Sequence, residues 1–256
     1  MQRIMVGVVL AASLTATAFA QEWIRYPTPG IPRTADGKPN LSAPAPKQPD
    51  GKPDLSGLWL VQGAYIGDIA KDLKDGAPMT PWAADLYKHR RDTLSKEDPT
   101  GWCVVGGVPR STAVPYPFKI LNTNGMVVIL YEAVHSFRQI FTDGRPLPKD
   151  PNPQWFGYSR GWFEGDTLVV ETTNFRGDEK AGWLDVNGSP YSDALKMTER
   201  FRRPNFGTLE IDVTIDDPKA YTKPFTVRVN QRIMVDEEMI EFICNENEKS
   251  TDHIKK

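Results

Sequence analysis

The chain has 256 residues, of which 39% are hydrophobic and 25% charged, and its formal net charge is −2. So balanced a charge provides neither the basic surface that nucleic-acid binding requires nor a polybasic membrane patch, and we expect no nucleic-acid partner. Seven tryptophans and 22 prolines favour many loops, few long helices, and a core or pocket built from large flat side chains.

The first twenty residues have the three parts of a secretory signal peptide. Arg3 gives a positive start, and residues 4–14 form an apolar run shorter than the about 20 residues that span a bilayer. Ala18-Phe19-Ala20 matches the small-x-small pattern that signal peptidase accepts. A short membrane anchor is the alternative, but no second apolar run of membrane length follows. We expect a soluble protein exported to the periplasm or extracellular space, without membrane insertion of the mature chain.

Residues 21–53 are rich in proline and polar residues, which predicts an extended arm ahead of a single β-rich domain over residues 54–256. The arm contains a short repeat, Asp36-Gly-Lys-Pro-Asn-Leu-Ser42 and Asp50-Gly-Lys-Pro-Asp-Leu-Ser56. Each copy begins with Asp-Gly, a turn signal. We interpret the repeat as duplicated linker chemistry rather than as a binding motif.

One segment, residues 80–95, has the features of a helix. Thr80 provides a cap and Pro81 occupies the first helical position, while residues 98–101 end the segment. His89 lies among basic residues there, which is typical of a solvated face.

From residue 117 onward the sequence changes to the alternation typical of β-strands. Within residues 208–216, four apolar residues at odd positions alternate with polar ones, which predicts a half-buried strand. Further strands are predicted over residues 57–61, 126–132, 136–141, 157–163, 167–174, 195–202, 225–233 and 239–244.

Short connections between so many strands favour an all-β, mostly antiparallel meander. Such a meander must hide its edges, and closing into a barrel does so completely. We therefore predict a lipocalin-like closed or nearly closed barrel with one N-terminal helix. A β-sandwich is the alternative.

The chain has two cysteines, Cys103 and Cys244. In an oxidising exported compartment, two cysteines most simply form one disulfide. On the entropic model this bridge would stabilise the folded protein by about 4–5 kcal/mol. Two free thiols and a metal-binding pair are the alternatives.

Several motifs together resemble a large group of exported bacterial proteins without an established activity. They are Pro53-Asp-Leu-Ser-Gly-Leu-Trp59, Pro109-Arg110 with Pro115-Tyr-Pro117, Thr198-Glu-Arg-Phe-Arg-Arg203, Thr214-Ile-Asp-Asp-Pro218 with Tyr221-Thr-Lys-Pro224, and Cys244-Asn-Glu-Asn247. The resemblance covers nearly the whole mature chain and implies an exported β-rich protein, with no catalytic residue to carry over. A more distant similarity to lipocalin-like barrels implies the fold alone.

Glu199 is the strongest candidate for a site residue. It falls on the apolar face of the strand 195–202, and a carboxylate that points inward must find a partner or take up a proton. Arg138 and Arg160 are the candidate partners, and His135 lies near the barrel mouth. A structural ion pair that fills the barrel remains an equal alternative to a site.

Two functions follow from these candidates. The first is binding of a small aromatic or lipid-like ligand inside the barrel. Its predicted lining residues are Tyr158, Arg160, Trp162, Glu171 and Glu199.

The second function is a cofactor-independent isomerase, lyase or hydrolase with Glu199, His135 and Arg138 as catalytic residues. The sequence has no nucleophile elbow, zinc-protease motif, phosphate loop or dinucleotide fingerprint. We expect no cofactor and no metal, and whether the protein is an enzyme stays open, as does its oligomeric state.

Overall fold

The computed structural model describes residues 27–177 and 182–246 and forms a closed nine-stranded β-barrel. The predicted signal peptide, residues 1–20, lies outside the described residues. The strands are β1 (Gly57–Val61), β2 (Phe118–Thr123), β3 (Met126–Tyr131), β4 (Ser136–Phe141), β5 (Tyr158–Glu164), β6 (Thr167–Thr173), β7 (Lys196–Asn205), β8 (Thr208–Asp216) and β9 (Phe225–Met234).

Each strand pairs with its neighbours in chain order, and β9 pairs with β1 to close the ring. All pairs are antiparallel except β4 and β5, which run parallel. Residues 142–157 therefore return along the outside of the barrel before β5 begins. The predicted barrel is confirmed and the sandwich is excluded, because the strands form one continuous sheet in which each strand pairs on both sides and no edge is free.

The barrel core follows the predicted alternation. In β8, Leu209, Ile211, Val213 and Ile215 are almost fully buried, whereas the residues between them are partly exposed. The inward residues of the other strands complete one hydrophobic core around the barrel axis.

Helix α1 (Pro81–Asp92) forms where the sequence predicts it. Thr80 caps it by accepting a hydrogen bond from the backbone N–H of Ala83, and Pro81 is its first residue. A second helix, α2 (Arg110–Ala113), has only four residues and was not predicted.

The predicted strand at 239–244 is wrong. That segment has no regular structure, because closure of β9 on β1 leaves no strand edge for it to join. It crosses the end of the barrel instead, where the predicted disulfide between Cys103 and Cys244 is confirmed.

The turns β2–β3, β5–β6 and β7–β8 lie at one end of the barrel, where buried Arg203 fills the interior. Its guanidinium donates to the backbone carbonyl oxygens of Asp54, Ser56 and Phe206 at 2.7–3.1 Å and lies over the ring of Trp59. Burial lowers the pKa of Arg203 to about 10. This arginine joins the Pro53–Trp59 and Thr198–Arg203 motifs into one structural unit.

Both copies of the arm repeat fold into the same tight turn, and Gly37 and Gly51 have φ values of +80° and +82°. The arm is thus more compact than the extended segment that its composition predicts. It packs against the barrel through backbone hydrogen bonds from Phe206 to Ala43 and from Gly207 to Leu41.

The opposite end of the barrel is covered. Residues 62–117, 174–177, 182–195, 217–224 and 239–246 lie there. We call this end the covered end and residues 239–246 the C-terminal segment. Within the described part of the chain, none of the helices has the length and apolar character needed to cross a membrane.

Candidate functional site

An ion pair between Arg138 of β4 and Glu199 of β7 occupies the barrel interior. The guanidinium donates two hydrogen bonds to the carboxylate, at 3.1 Å (Nη1 to Oε1) and 2.5 Å (Nη2 to Oε2). Arg138 is 2% exposed and Glu199 is 0% exposed. Glu199 therefore points into the barrel, as the face argument predicts, and its partner is the first of the two candidate arginines.

Two hydroxyl groups complete the shell of this pair. Arg138 Nε donates to Ser159 Oγ at 3.1 Å, Arg138 Nη2 donates to Thr172 Oγ1 at 2.8 Å, and the two hydroxyl oxygens lie 3.0 Å apart. Since Ser159 lies on β5 and Thr172 on β6, the polar side chains form a belt across four consecutive strands. We call these four residues the polar belt.

The electrostatics of the polar belt favour a closed structural unit. Burial opposes the charge of Arg138, but the attraction and hydrogen bonds of Glu199, with a smaller contribution from nearby Tyr131, together outweigh it and raise the pKa of the guanidinium. The pair has no net charge, its hydrogen-bonding groups bind each other, and neither residue lines the cavity at the covered end. A substrate would have to enter the packed core to reach Glu199.

The predicted ligand-lining residues of β5 and β6 lie on the outer surface, so their placement inside the barrel is wrong. Arg160 and Glu171 form a salt bridge there at 2.6 Å, and Trp162 is 37% exposed. Tyr158 shares this outer face and accepts a hydrogen bond from the side chain of Gln154.

The inner face of β5 carries Ser159 and Gly161 instead. A Cβ at Gly161 would lie 3.0 Å from Cγ2 of Ile140, so only the smallest residue fits there without displacing its neighbours. The inward-facing positions of β5 therefore lack the large apolar residues that mark an inward face in a sequence.

His135 lies away from the polar belt, at the covered end. Its Nε2 accepts a hydrogen bond of 3.0 Å from the backbone N–H of Phe242, and nearby Glu132 accepts one of 3.0 Å from that of Ile240. Both side chains therefore hold the C-terminal segment over the barrel. The structure joins Arg138 and Glu199 but does not bring His135 to them.

A cavity of about 190 Å³ lies within the covered end, and we call it the lid cavity. Sequence reasoning missed it because its walls come from separate segments with no common periodicity. Its lining residues are Ile66, Thr100, Gly106, Arg110, Ser111, Val114, Tyr116, Ala133, Val134, Val186, Phe242 and Cys244.

The C-terminal segment supplies one wall of the lid cavity. Phe242 packs edge-on against Tyr116, with ring centroids 5.1 Å apart, and Cys244 is bonded to Cys103. The disulfide thus fixes the segment directly beside the cavity.

Helix α2 separates the lid cavity from the barrel interior. Arg110 and Ser111 line the cavity, whereas the backbone carbonyl oxygen of Thr112 accepts a hydrogen bond of 2.9 Å from the Gln231 side chain of β9. Thr112 Oγ1 and Tyr131 Oη are buried and have no hydrogen-bond partner among the described residues. Burial also raises the pKa of the Tyr131 hydroxyl.

Within residues 27–177 and 182–246, no group of three or more histidine, cysteine or acidic side chains is arranged to hold a metal ion. No protein-family model, curated protein or solved structure matches this chain.

Proposed function

We propose that the protein binds a small, ring-sized molecule in the lid cavity. The observation that carries this proposal is an apolar cavity with a few polar groups, formed by the covered end and fixed by the disulfide. Such cavities are the usual form of small-molecule sites. At about 190 Å³ it is close to the roughly 150 Å³ that holds a benzene ring in a protein interior.

The packing of the barrel interior supports this location over the one that the sequence favoured. Arg138 and Glu199 fill the interior and satisfy each other, which leaves the lid cavity as the better place for a ligand. The same closure disfavours the acid–base enzyme, because a general acid or base must come within hydrogen-bond distance of its substrate.

Ligand-induced stabilisation tests the proposal. Titration with α-methylstyrene should give a saturable rise in the free energy of unfolding, about 2.7 kcal/mol at a ligand concentration of 100 times Kd. Ala133→Phe places a ring in the lid cavity and should abolish the rise. Ala84→Phe makes the same change on the exposed face of α1, outside the cavity, and should leave it intact.

Binding that survives Ala133→Phe in a folded protein would place the ligand elsewhere. No saturable binding of α-methylstyrene, acetophenone or benzoate by the unaltered protein would overturn the proposal itself.

We further propose that the protein acts after export. The signal-like residues 1–20 and the disulfide support this, because disulfides persist in oxidising compartments. Mass analysis of protein from the periplasm or medium should show an N-terminus at Gln21. Accumulation of the full-length chain inside the cell would contradict export.

A further inference from the structure

The lid cavity contains a single charged side chain, Arg110, among its lining residues. Arg110 is 2% exposed and donates to both carboxylate oxygens of Asp98, at 2.9 Å and 2.6 Å. The charge of the guanidinium is therefore already balanced within the protein. A ligand does not have to supply a negative charge.

An anionic ligand would in fact be disfavoured here. It would give up its hydration in an apolar cavity, and the cation available to it is already bound to a carboxylate. Glu132, which is buried and precedes the cavity residue Ala133, adds a further carboxyl group at the covered end. The electrostatics thus select an uncharged molecule.

The hydrogen-bonding groups that line the cavity restrict the chemistry of the ligand further. Thr100 Oγ1 is already occupied, since it donates to Asp98 at 2.8 Å and accepts from Arg110 at 2.8 Å. Ser111 is 8% exposed, lines the cavity, and its hydroxyl has no hydrogen-bond partner within the described part of the chain. Nε of Arg110, the preceding residue, is buried and also has no acceptor among those residues.

An unpaired hydroxyl and an unpaired N–H on adjacent residues make this wall rich in hydrogen-bond donors. A ligand atom that accepts a hydrogen bond is the matching chemistry, because a buried donor without a partner costs free energy. The other lining residues, apart from the hydroxyl of Tyr116, offer mainly apolar surface to the rest of the molecule.

We propose that the lid cavity selects a neutral, ring-sized molecule that carries a hydrogen-bond acceptor such as a carbonyl oxygen, and that Ser111 is the residue that recognises this atom. This inference rests on the proposed function and specifies the chemical class of its ligand. It assigns to Ser111 a specificity role that neither the strand pattern nor the motifs indicated.

Three probes of nearly the same shape test it: acetophenone with a carbonyl oxygen, α-methylstyrene with a methylene group in its place, and benzoate with a carboxylate. Dissociation constants measured by calorimetry or by ligand-observed NMR should be about tenfold lower for acetophenone than for α-methylstyrene, the effect of one buried hydrogen bond. Benzoate should bind more weakly than either.

Ser111→Ala should make the dissociation constants of acetophenone and α-methylstyrene about equal. The dissociation constant of α-methylstyrene should stay within about twofold of its value for the unaltered protein, since only the donor is removed. Ser136→Ala is the matched control, because Ser136 does not line the cavity and its hydroxyl binds the carbonyl oxygen of Ala133. This control should keep the preference.

Each outcome separates the two proposals. Equal binding of acetophenone and α-methylstyrene, or a preference that survives Ser111→Ala, overturns the acceptor recognition while leaving a binding cavity. Benzoate binding most tightly overturns the neutral-ligand argument. Absence of binding for all three probes removes the proposed function itself.

Discussion

Two of the arginine–glutamate pairs in the barrel have the same chemistry but lie in opposite environments. Arg138–Glu199 spans the interior between β4 and β7, whereas Arg160–Glu171 joins directly opposite residues of β5 and β6 on the outer surface. The side chains of the first pair are 1% and 0% exposed, and those of the second 40% and 38%.

Their distances are almost equal, at 2.5 Å and 2.6 Å, so distance alone does not predict what each pair contributes. In the outer pair, water can replace either partner, so removing one of them costs little free energy of unfolding. The interior offers no such replacement, so each partner of the inner pair depends on the other. Burial therefore decides how much stability is lost when one partner of the pair is removed.

Removal of one inner charge should have the largest effect. Glu199→Gln keeps the shape of the side chain but leaves the Arg138 guanidinium buried without a counter-charge, so we expect a loss of about 3–5 kcal/mol in the free energy of unfolding. Denaturant titration measures it. A loss below about 1 kcal/mol would mean that water reaches the barrel interior.

Removal of both inner charges should cost less than removal of one. Arg138→Met combined with Glu199→Leu replaces the pair with apolar side chains, and such replacements are often neutral or stabilising. We expect the double variant to be at least about 2 kcal/mol more stable than Glu199→Gln. A double variant less stable than that single variant would show that the hydroxyls of the polar belt need the charges.

Asp185 is a further buried carboxyl group, and it binds backbone N–H groups instead of an arginine. It accepts hydrogen bonds from Ile69 and Ser189, and burial raises its pKa above the ordinary value of 3.8. The folded state therefore keeps the proton to higher pH than the unfolded state does. Its stabilising contribution is complete below the ordinary pKa and is lost as pH rises through the raised value.

Unfolding free energies of the unaltered protein and Asp185→Asn, measured from pH 3 upward, should show this dependence. The stability of the unaltered protein should fall relative to the variant as the pH rises above about 4. Parallel pH curves would contradict the assignment.

The smallest effect is expected for the outer pair. Glu171→Gln should change the free energy of unfolding by about 0–1 kcal/mol, and the change should shrink further in high salt. It serves as the control for Glu199→Gln, because both substitutions remove one carboxylate from an arginine pair. A cost comparable with that of Glu199→Gln would remove the distinction between the two environments.

The barrel could be predicted because its strands alternate. In β7, Met197 and Phe201 mark the inner face so clearly that Glu199 between them must share it. The same reasoning failed on β5, where Ser159 and Gly161 face inward and aromatic residues face water. Only small residues fit at these positions because side chains of neighbouring strands, such as Ile140, occupy the space. A local sequence pattern does not show which residues of other strands will be neighbours.

The lid cavity could not be predicted for a related reason. Its walls come from segments as distant as Ile66 and Phe242, and none of these segments has a strand period. The Pro109-Arg110, Pro115-Tyr-Pro117 and Cys244-Asn-Glu-Asn247 motifs each supply a lining residue, Arg110, Tyr116 and Cys244. None of these motifs indicates a cavity by itself, because the contacts that form it, such as that of Arg110 with Asp98, join separate segments.

The pairing of β1 with β9 has a consequence for how the chain matures. Residues 57–61 pair with β9, so the ring cannot close until residues 225–234 have left the ribosome. Cys244 follows β9 and is available later still. A nascent chain that has not yet exposed these residues lacks both the strand that closes the ring and the disulfide, so the native architecture cannot be reached before Cys244 has left the ribosome.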